Sequence, residues 1–251
     1  QHKRQMNKPV FSWSTWALLS VYLVILAGAV VRMTGSGMGC PDWPKCFGYL
    51  IPPTERSQLD WQRNKKYEKG NVIILDNTLQ VATQTFESGK TIDLENWEAY
   101  TKHDYTTFNA THTWVEFINR LLGAISGLIV LGLFIRSLWW IRNQPLLSLF
   151  SFFAVVGMGI QAWLGKTVVD SNLLPSKISL HMIMALLIVS VLLFVRAKSH
   201  GKLIQQPSKT LLMLIFGSFA LTLIQFGLGV DVRQFIDYQI KQAGSNAPQL
   251  W

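Results

Sequence analysis

Five long stretches of the chain carry almost only apolar side chains. They cover residues 10–31, 113–135, 146–168, 178–195 and 211–230. A helix needs roughly 20 apolar residues to cross the hydrocarbon of a bilayer. The pattern therefore predicts an all-α integral membrane protein with a four-helix transmembrane bundle followed by a fifth span.

The placement of the charges orients these spans. The net charge of +9 could suggest a nucleic-acid partner, but the cations cluster beside the apolar stretches, so we expect a lipid bilayer and no nucleic acid. Short basic loops stay in the cytoplasm, which places the amino terminus inside and residues 34–111 and 170–177 outside a cell (inner) membrane. The cations that decide this are His2, Lys3, Arg4 and Lys8, then Arg136 and Arg142, then Arg196, Lys198, Lys202 and Lys209.

The same pattern divides the chain into three parts. Residues 1–9 form a basic cytoplasmic end, residues 10–200 the first four-helix unit with its large outer loop 34–111, and residues 201–251 the fifth span. A weak echo between Gly28-Ala-Val-Val-Arg32 and Gly229-Val-Asp-Val-Arg233 suggests that the fifth span opens a second repeat. Parallel repeats of this kind occur in membrane proteins.

The outer loop is too long for a plain connector. We expect it to form a small lid with one β-like stretch at residues 71–75. Cys40 and Cys46 both lie in this loop, where oxidising conditions permit a disulfide. A structural disulfide is the leading interpretation, and a pair of unbonded thiols or a redox-active or heme-attacking cysteine are the alternatives.

Polar residues gather on one face of the second span. His112, Glu116, Asn119 and Gly123 share that face at helical spacing, and Arg120 lies beside it. We expect the face to point into the bundle, and we expect Gly123-x-x-x-Gly127 to allow close helix contact. Glu116 is either functional or a buried structural acid paired with Arg120.

One histidine lies inside the fourth span. His181 is about one turn below the outer end of its helix, at a depth similar to Asn119 on the second span. The two spans could therefore flank a pocket in the outer half of the membrane, where a neutral imidazole would bind heme iron. The alternative is a histidine that hydrogen-bonds a neighbouring carbonyl group.

Three motifs in order resemble the heme A synthases. They are Arg32-Met-Thr-Gly-Ser-Gly, Cys40-Pro-Asp-Trp-Pro-Lys-Cys46 and Glu116-Phe-Ile-Asn-Arg120, and Gln161-Ala-Trp-Leu-Gly-Lys-Thr-Val and His181 continue the pattern. The resemblance implies a fold of eight spans in two similar halves, of which this chain carries the first half and one further helix. It also implies an enzyme that oxidises a methyl group of heme O, its substrate, to the formyl group of heme A for terminal oxidases.

The resemblance also implies roles for individual residues. His181 would be an axial ligand of the substrate heme, Glu116 the catalytic acid beside its reacting edge, and Cys40 and Cys46 the outer disulfide. The family motif usually has a histidine where this chain has Asn119, so either His112 substitutes as the second ligand or His181 holds the iron alone. A resident heme b is expected in the second half of the fold, with ligands outside this chain.

Several expectations stay open beside the leading one. Arg32 and Arg120 would pair with heme propionates or simply anchor the membrane interface. Heme O synthase and a second copy of the chain are possible partners. The rival functions are a non-catalytic heme carrier or oxidase-assembly factor, and a transporter or structural protein without heme.

Overall fold

The computed structural model describes residues 7–101, 108–200 and 208–243. The chain divides into two compact units, Gln1–Lys202 and Leu203–Trp251. Its long helices are α1 (Lys8–Met33), α2 (Ala110–Leu138), α3 (Pro145–Asp170), α4 (Pro175–Ser199) and α5 (Lys209–Ala243). Each contains a segment long and apolar enough to cross a bilayer. The predicted all-α integral membrane fold with five spans is confirmed. His2, Lys3, Arg4 and Lys202 lie outside the described residues.

Local sequence signals explain where the first four helices begin. The side-chain oxygens of Asn7 and Asn109 accept hydrogen bonds from the backbone N–H groups of Val10 and His112, respectively, at the starts of α1 and α2. Such capping satisfies backbone donors that have no partner inside the helix. Helices α3 and α4 begin with Pro145 and Pro175, and proline is favoured there because its missing N–H is not needed.

Helices α1 to α4 form a closed four-helix bundle. Helix α1 packs against α2 and α4, and α3 packs against the same two helices, so α2 and α4 lie diagonally across the bundle. Interhelical hydrogen bonds supplement the apolar packing, as between the Ser20 and Ser126 hydroxyls at 3.0 Å. Lipid tails are as apolar as leucine, so packing and such hydrogen bonds must hold these helices together.

The segment between α1 and α2, which the sequence predicts to lie outside and which we call the outer segment, holds two small antiparallel sheets. Strands β1 (Lys66–Tyr67) and β4 (Phe86–Glu87) form one, while β2 (Val72–Leu75), β3 (Thr78–Ala82) and β5 (Trp97–Ala99) form the other in the order β2-β3-β5. The single expected β-like stretch corresponds to β2, and the other strands were not predicted. Strands β1, β4 and β5 have only two or three residues each, too few to be recognised in the sequence.

The three-stranded sheet is joined directly to residues 39–48, which surround the Cys40–Cys46 pair and which we call the cysteine loop. The backbone N–H of Val72 donates to the carbonyl of Phe47 at 3.0 Å. Gly48 has φ +78°, and a Cβ there would lie 2.2 Å from the carbonyl oxygen of Gly70. Only glycine fits so close an approach in this conformation. The cysteine loop therefore lies between the three-stranded sheet and the outer end of α2.

The second unit contains a single described helix, α5. Every side chain described between Lys209 and Phe235 is exposed within this unit. Its apolar segment Leu212–Gly229 is long enough to cross a bilayer. Lipid or another apolar surface must therefore cover it, because water would not solvate it favourably.

Candidate functional site

The predicted disulfide is present. Cys40 and Cys46 are bonded, with their Cα atoms 4.8 Å apart, and both side chains are buried. The bond closes a short loop that packs with Phe47, Leu59, Val72, Ile74 and Leu79 in one apolar cluster. The alternative of two unbonded thiols is wrong, and the staple sits where the outer sheets meet the bundle.

Glu116 is buried beneath this loop, almost two turns inside α2. Only 4% of the residue is exposed. Its Oε2 accepts a hydrogen bond from the backbone N–H of Cys40 at 2.8 Å, and its Oε1 accepts one from Arg120 at 2.5 Å. A carboxylate oxygen can accept more than one hydrogen bond, so both oxygens retain acceptor capacity. The acid is at once paired with Arg120 and fastened to the disulfide.

Arg120 binds the loop more extensively than it binds Glu116. Its Nη1 donates to the backbone carbonyls of Asp42 at 2.7 Å and Lys45 at 3.1 Å. Its Nη2 donates to the carbonyl of Cys40 at 3.3 Å as well as to Glu116. The rigid fork of a guanidinium suits such a set of acceptors. The guanidinium is thus directed into the loop, and pairing with a heme propionate stays a prediction.

Asp42 organises the loop from within. Its carboxylate accepts hydrogen bonds from the backbone N–H groups of Phe47 at 2.6 Å and Gly48 at 2.8 Å. Burial raises the pKa of Asp42 above its usual value, although these two bonds and the charge of Arg120 act in the opposite direction. The Tyr100 hydroxyl fastens the same loop from the sheet side by donating to the carbonyl of Pro41 at 2.6 Å.

His181 points into the bundle and contacts α3. Its Nε2 lies 3.2 Å from Nε2 of Gln161, and a Cβ added to Gly165 would lie 3.4 Å from its Cε1. The histidine Nδ1 and the Gln161 Oε1 are buried without a hydrogen-bond partner. A ring placed this way could bind an iron atom through Nε2 once the Gln161 amide turns aside.

Asn119 and His112 occupy different surroundings. The Oδ1 of Asn119 is buried without a partner, and a Cβ added to Gly28 of α1 would lie 3.9 Å from it. His112 is half-buried in the first turn of α2, where its backbone carbonyl faces Gly39 of the cysteine loop. Replacement of the expected histidine by Asn119 or His112 stays a prediction.

The glycines of α2 do not make the predicted close helix contact. A Cβ added to Gly123 or Gly127 would have no atom within 4 Å outside its own helix backbone, and the same is true of Gly159 on α3. At helical spacing, these glycines lie on the faces that carry Phe134 and Phe152 further in, where the two rings pack 5.6 Å apart. The faces of α2 and α3 that carry these glycines therefore meet no neighbouring helix within 4 Å at these positions.

A family model covers nearly the whole chain. The model described as COX15-CtaA, cytochrome oxidase assembly protein, matches residues 11–87 and 82–240. The chain belongs to this family. The matched residues include the cysteine loop, the outer end of α2 and His181.

Three relatives of the chain are named heme A synthase. The heme A synthase of Shewanella oneidensis is 26% identical over 192 residues, which cover 75% of this chain and 46% of the relative. Those of Rickettsia prowazekii and Exiguobacterium sp. are each 26% identical and cover 84% and 91% of this chain, against 57% and 59% of their own lengths. The chain thus spans about half the length of these relatives. No solved structure shows a significant match.

The fold brings some of the predicted site residues together. Glu116 and Arg120 share one network with the disulfide, while Arg32 lies in the last turn of α1 and His181 faces α3. Sequence reasoning missed Thr113, whose hydroxyl donates to the carbonyl of Gly39 at 2.8 Å. The available signal was its position three residues before Glu116, which places both side chains on one face of α2.

Proposed function

We propose that this chain takes part in heme A synthesis by binding heme O in the outer half of the four-helix bundle and supporting oxidation of its methyl group to a formyl group. The observation that carries the proposal is the inward orientation of His181 beside α3. The family membership and the heme A synthase name of its relatives support the same reaction. The porphyrin iron supplies the oxidative chemistry when the substrate is bound.

The residues present fit a heme. Nε2 of His181 lies 3.2 Å from the amide nitrogen of Gln161, and Oε1 of that amide is buried without a hydrogen-bond partner, so the amide can turn and leave Nε2 to a ligand. A Cβ added to Gly123, Gly127 or Gly159 would meet no atom within 4 Å, so a flat ligand could approach the helices at these positions. His181 would hold the iron through Nε2, and Gln161 would give up its contact with that nitrogen.

Glu116 would handle charge and protons at the reacting edge of the substrate. With dioxygen as the proposed oxidant and the added reductant as electron source, converting the methyl group to a formyl group consumes two O2 molecules, four electrons and four protons and releases three water molecules. A preorganised carboxylate with spare acceptor capacity can take up a proton or stabilise positive charge there. Arg32 would pair with a propionate, and His112 or Asn119 would flank the second face of the heme.

Several features of the wider system belong to the same proposal. Residues 1–9 would lie in the cytoplasm, residues 10–200 would form the substrate half in a cell (inner) membrane, and residues 201–251 would begin a second repeat. That second half would hold a heme b whose ligands lie outside this chain. Heme O synthase and further copies of the protein are the partners we would test.

The test is conversion of added substrate. Purified protein receives heme O and a reductant in aerated buffer, and the pigments are extracted and separated by chromatography with mass detection. We expect a formyl heme from the wild type and none from His181→Ala, with Gly89→Ala as an active control. An unchanged substrate in every sample would refute the proposed enzyme.

A heme carrier or oxidase-assembly factor is the second candidate. Asn119 favours it, because asparagine is a poor iron ligand and stands where the family motif usually has histidine. Tight binding of heme O, seen as a shifted absorption band without any formyl product, would support this candidate over the enzyme.

A further inference from the structure

Three side chains on one face of α2 hold the cysteine loop. Thr113 binds the carbonyl of Gly39, Glu116 binds the N–H of Cys40, and Arg120 binds the carbonyls of Cys40, Asp42 and Lys45. We call Thr113, Glu116 and Arg120 the loop clasp. Their spacing of three and four residues puts them in adjacent turns of one helix face. The sequence of α2 therefore presents a row of polar groups to the loop.

Arg120 spans the same loop that the disulfide closes. It bonds the carbonyl of Cys40 at one end, and the carbonyl of Lys45, next to Cys46, at the other. A cross-link and a non-covalent bridge that close one loop both reduce its conformational freedom. Each must therefore favour formation of the other, because such coupling is reciprocal.

The pairing with Glu116 links this bridge to the proposed site. Only 15% of the Arg120 side chain and 5% of the Glu116 side chain are exposed. Removing either partner would leave a buried charge without compensation. The position of the Glu116 carboxylate thus depends on Arg120 from one side and on the loop N–H of Cys40 from the other.

We propose that Arg120 is a positioning residue that locks the Cys40–Cys46 loop onto α2 and thereby sets the place of the Glu116 carboxylate. In this role its guanidinium serves the loop and does not bind a heme propionate. Losing Arg120 and reducing the disulfide should then perturb Glu116 in the same way. The effect on turnover rests on the proposed function, whereas the coupling between Arg120 and the disulfide does not.

The first measurement is the reduction equilibrium of the disulfide. The full chain in detergent is equilibrated with mixtures of reduced and oxidised dithiothreitol, and free thiols are counted after labelling with a maleimide. Arg120→Lys should reach half reduction at a ratio of reduced to oxidised reagent about tenfold lower than the wild type, the scale of one lost charge-assisted hydrogen bond. Lysine keeps the charge but lacks the fork that reaches both ends of the loop.

Two further variants provide a control and a second perturbation of the loop. Arg56→Lys is the matched control, because Arg56 pairs with Asp60 at the same four-residue spacing in the outer segment but with exposed side chains; its midpoint should equal that of the wild type. Thr113→Val keeps every charge and removes one bond to the loop, so it should shift the midpoint about threefold in the same direction. Midpoints of Arg120→Lys and Thr113→Val equal to the wild type would overturn the proposal.

The second measurement separates positioning from substrate binding. Arg120→Lys should lower kcat for heme O conversion and leave KM unchanged, and prior reduction should lower the kcat of that variant by a smaller factor than it lowers the kcat of the wild type. A raised KM with an unchanged disulfide equilibrium would make Arg120 a propionate ligand and refute positioning. If the wild type makes no formyl heme, the proposed function fails, and the thiol titration still decides the coupling.

Discussion

Replacing Gly39 by alanine should separate the cysteine loop from α2. A Cβ at this position would lie 2.4 Å from the carbonyl oxygen of His112 and 2.7 Å from the backbone nitrogen of Thr113. Ordinary contact needs about 3.5 Å between such atoms, so the loop must move by about 1 Å. Both clashing atoms belong to the backbone of a helix, which cannot yield as a flexible side chain would.

The displacement has a definite cost. It would lengthen the 2.8 Å bond from Thr113 to the carbonyl of Gly39 and the 2.8 Å bond from the N–H of Cys40 to Glu116 beyond hydrogen-bond range. A neutral bond contributes about 1 kcal/mol and a bond to a charged group about 1.5–3 kcal/mol. Gly39→Ala should therefore destabilise the protein by about 2.5–4 kcal/mol.

Thermal unfolding in detergent, followed by circular dichroism, measures this effect. Gly89→Ala is the matched control, since it lies in the same outer segment and its Cβ would have no atom within 4 Å. We expect Gly39→Ala to lower Tm by about 5 °C or more and Gly89→Ala to leave it unchanged. Equal melting temperatures for the three proteins would refute the reasoning that backbone contact at Gly39 holds the loop.

Other predictions concern the bundle and the loop carboxylate. Gly127→Ala should not lower Tm, because its Cβ would meet no atom within 4 Å, but should weaken heme O binding in an absorbance titration; unchanged binding would place the heme elsewhere. His181→Ala should shift the absorption band of bound heme O, and an unaltered band would remove His181 from the ligands. Burial raises the pKa of Asp42, so the folded state holds the carboxyl proton more tightly than the unfolded state does. The stability that this proton contributes is full below the ordinary pKa of 3.8 and is lost as pH rises through the folded pKa. Asp42→Asn should therefore flatten the pH dependence of Tm at and above about pH 4, and an unchanged slope would contradict the assigned burial.

Much of the site was visible in the sequence because it depends on local order. The spacing of Glu116 and Arg120 places them on one helix face whatever the rest of the chain does, and their ion pair follows. Cys40 and Cys46 are close along the chain, so a bond between them needs little help from distant residues. His181 stands out because an ionisable residue in an apolar span requires a reason.

Contacts between distant segments could not be read in this way. Gly123 and Gly127 predicted close helix packing, yet a Cβ at either position would meet no atom of a neighbouring helix within 4 Å. The distance between two helices depends on all the side chains packed between them and not on glycine spacing alone. The bonds from Arg120 to the loop join residues more than seventy positions apart. No periodicity in either segment predicts these hydrogen bonds.

The sequence by itself determined the five apolar spans and the pairing of neighbouring polar residues, since each depends on length, composition or helical spacing. Only the tertiary structure decided that α2 and α4 lie diagonally across the bundle, that His181 meets Gln161, and that the loop clasp holds the disulfide against Glu116. The physical reason is that helix spacing and loop docking result from the packing of whole surfaces, in which each residue contributes through neighbours that the linear order does not show.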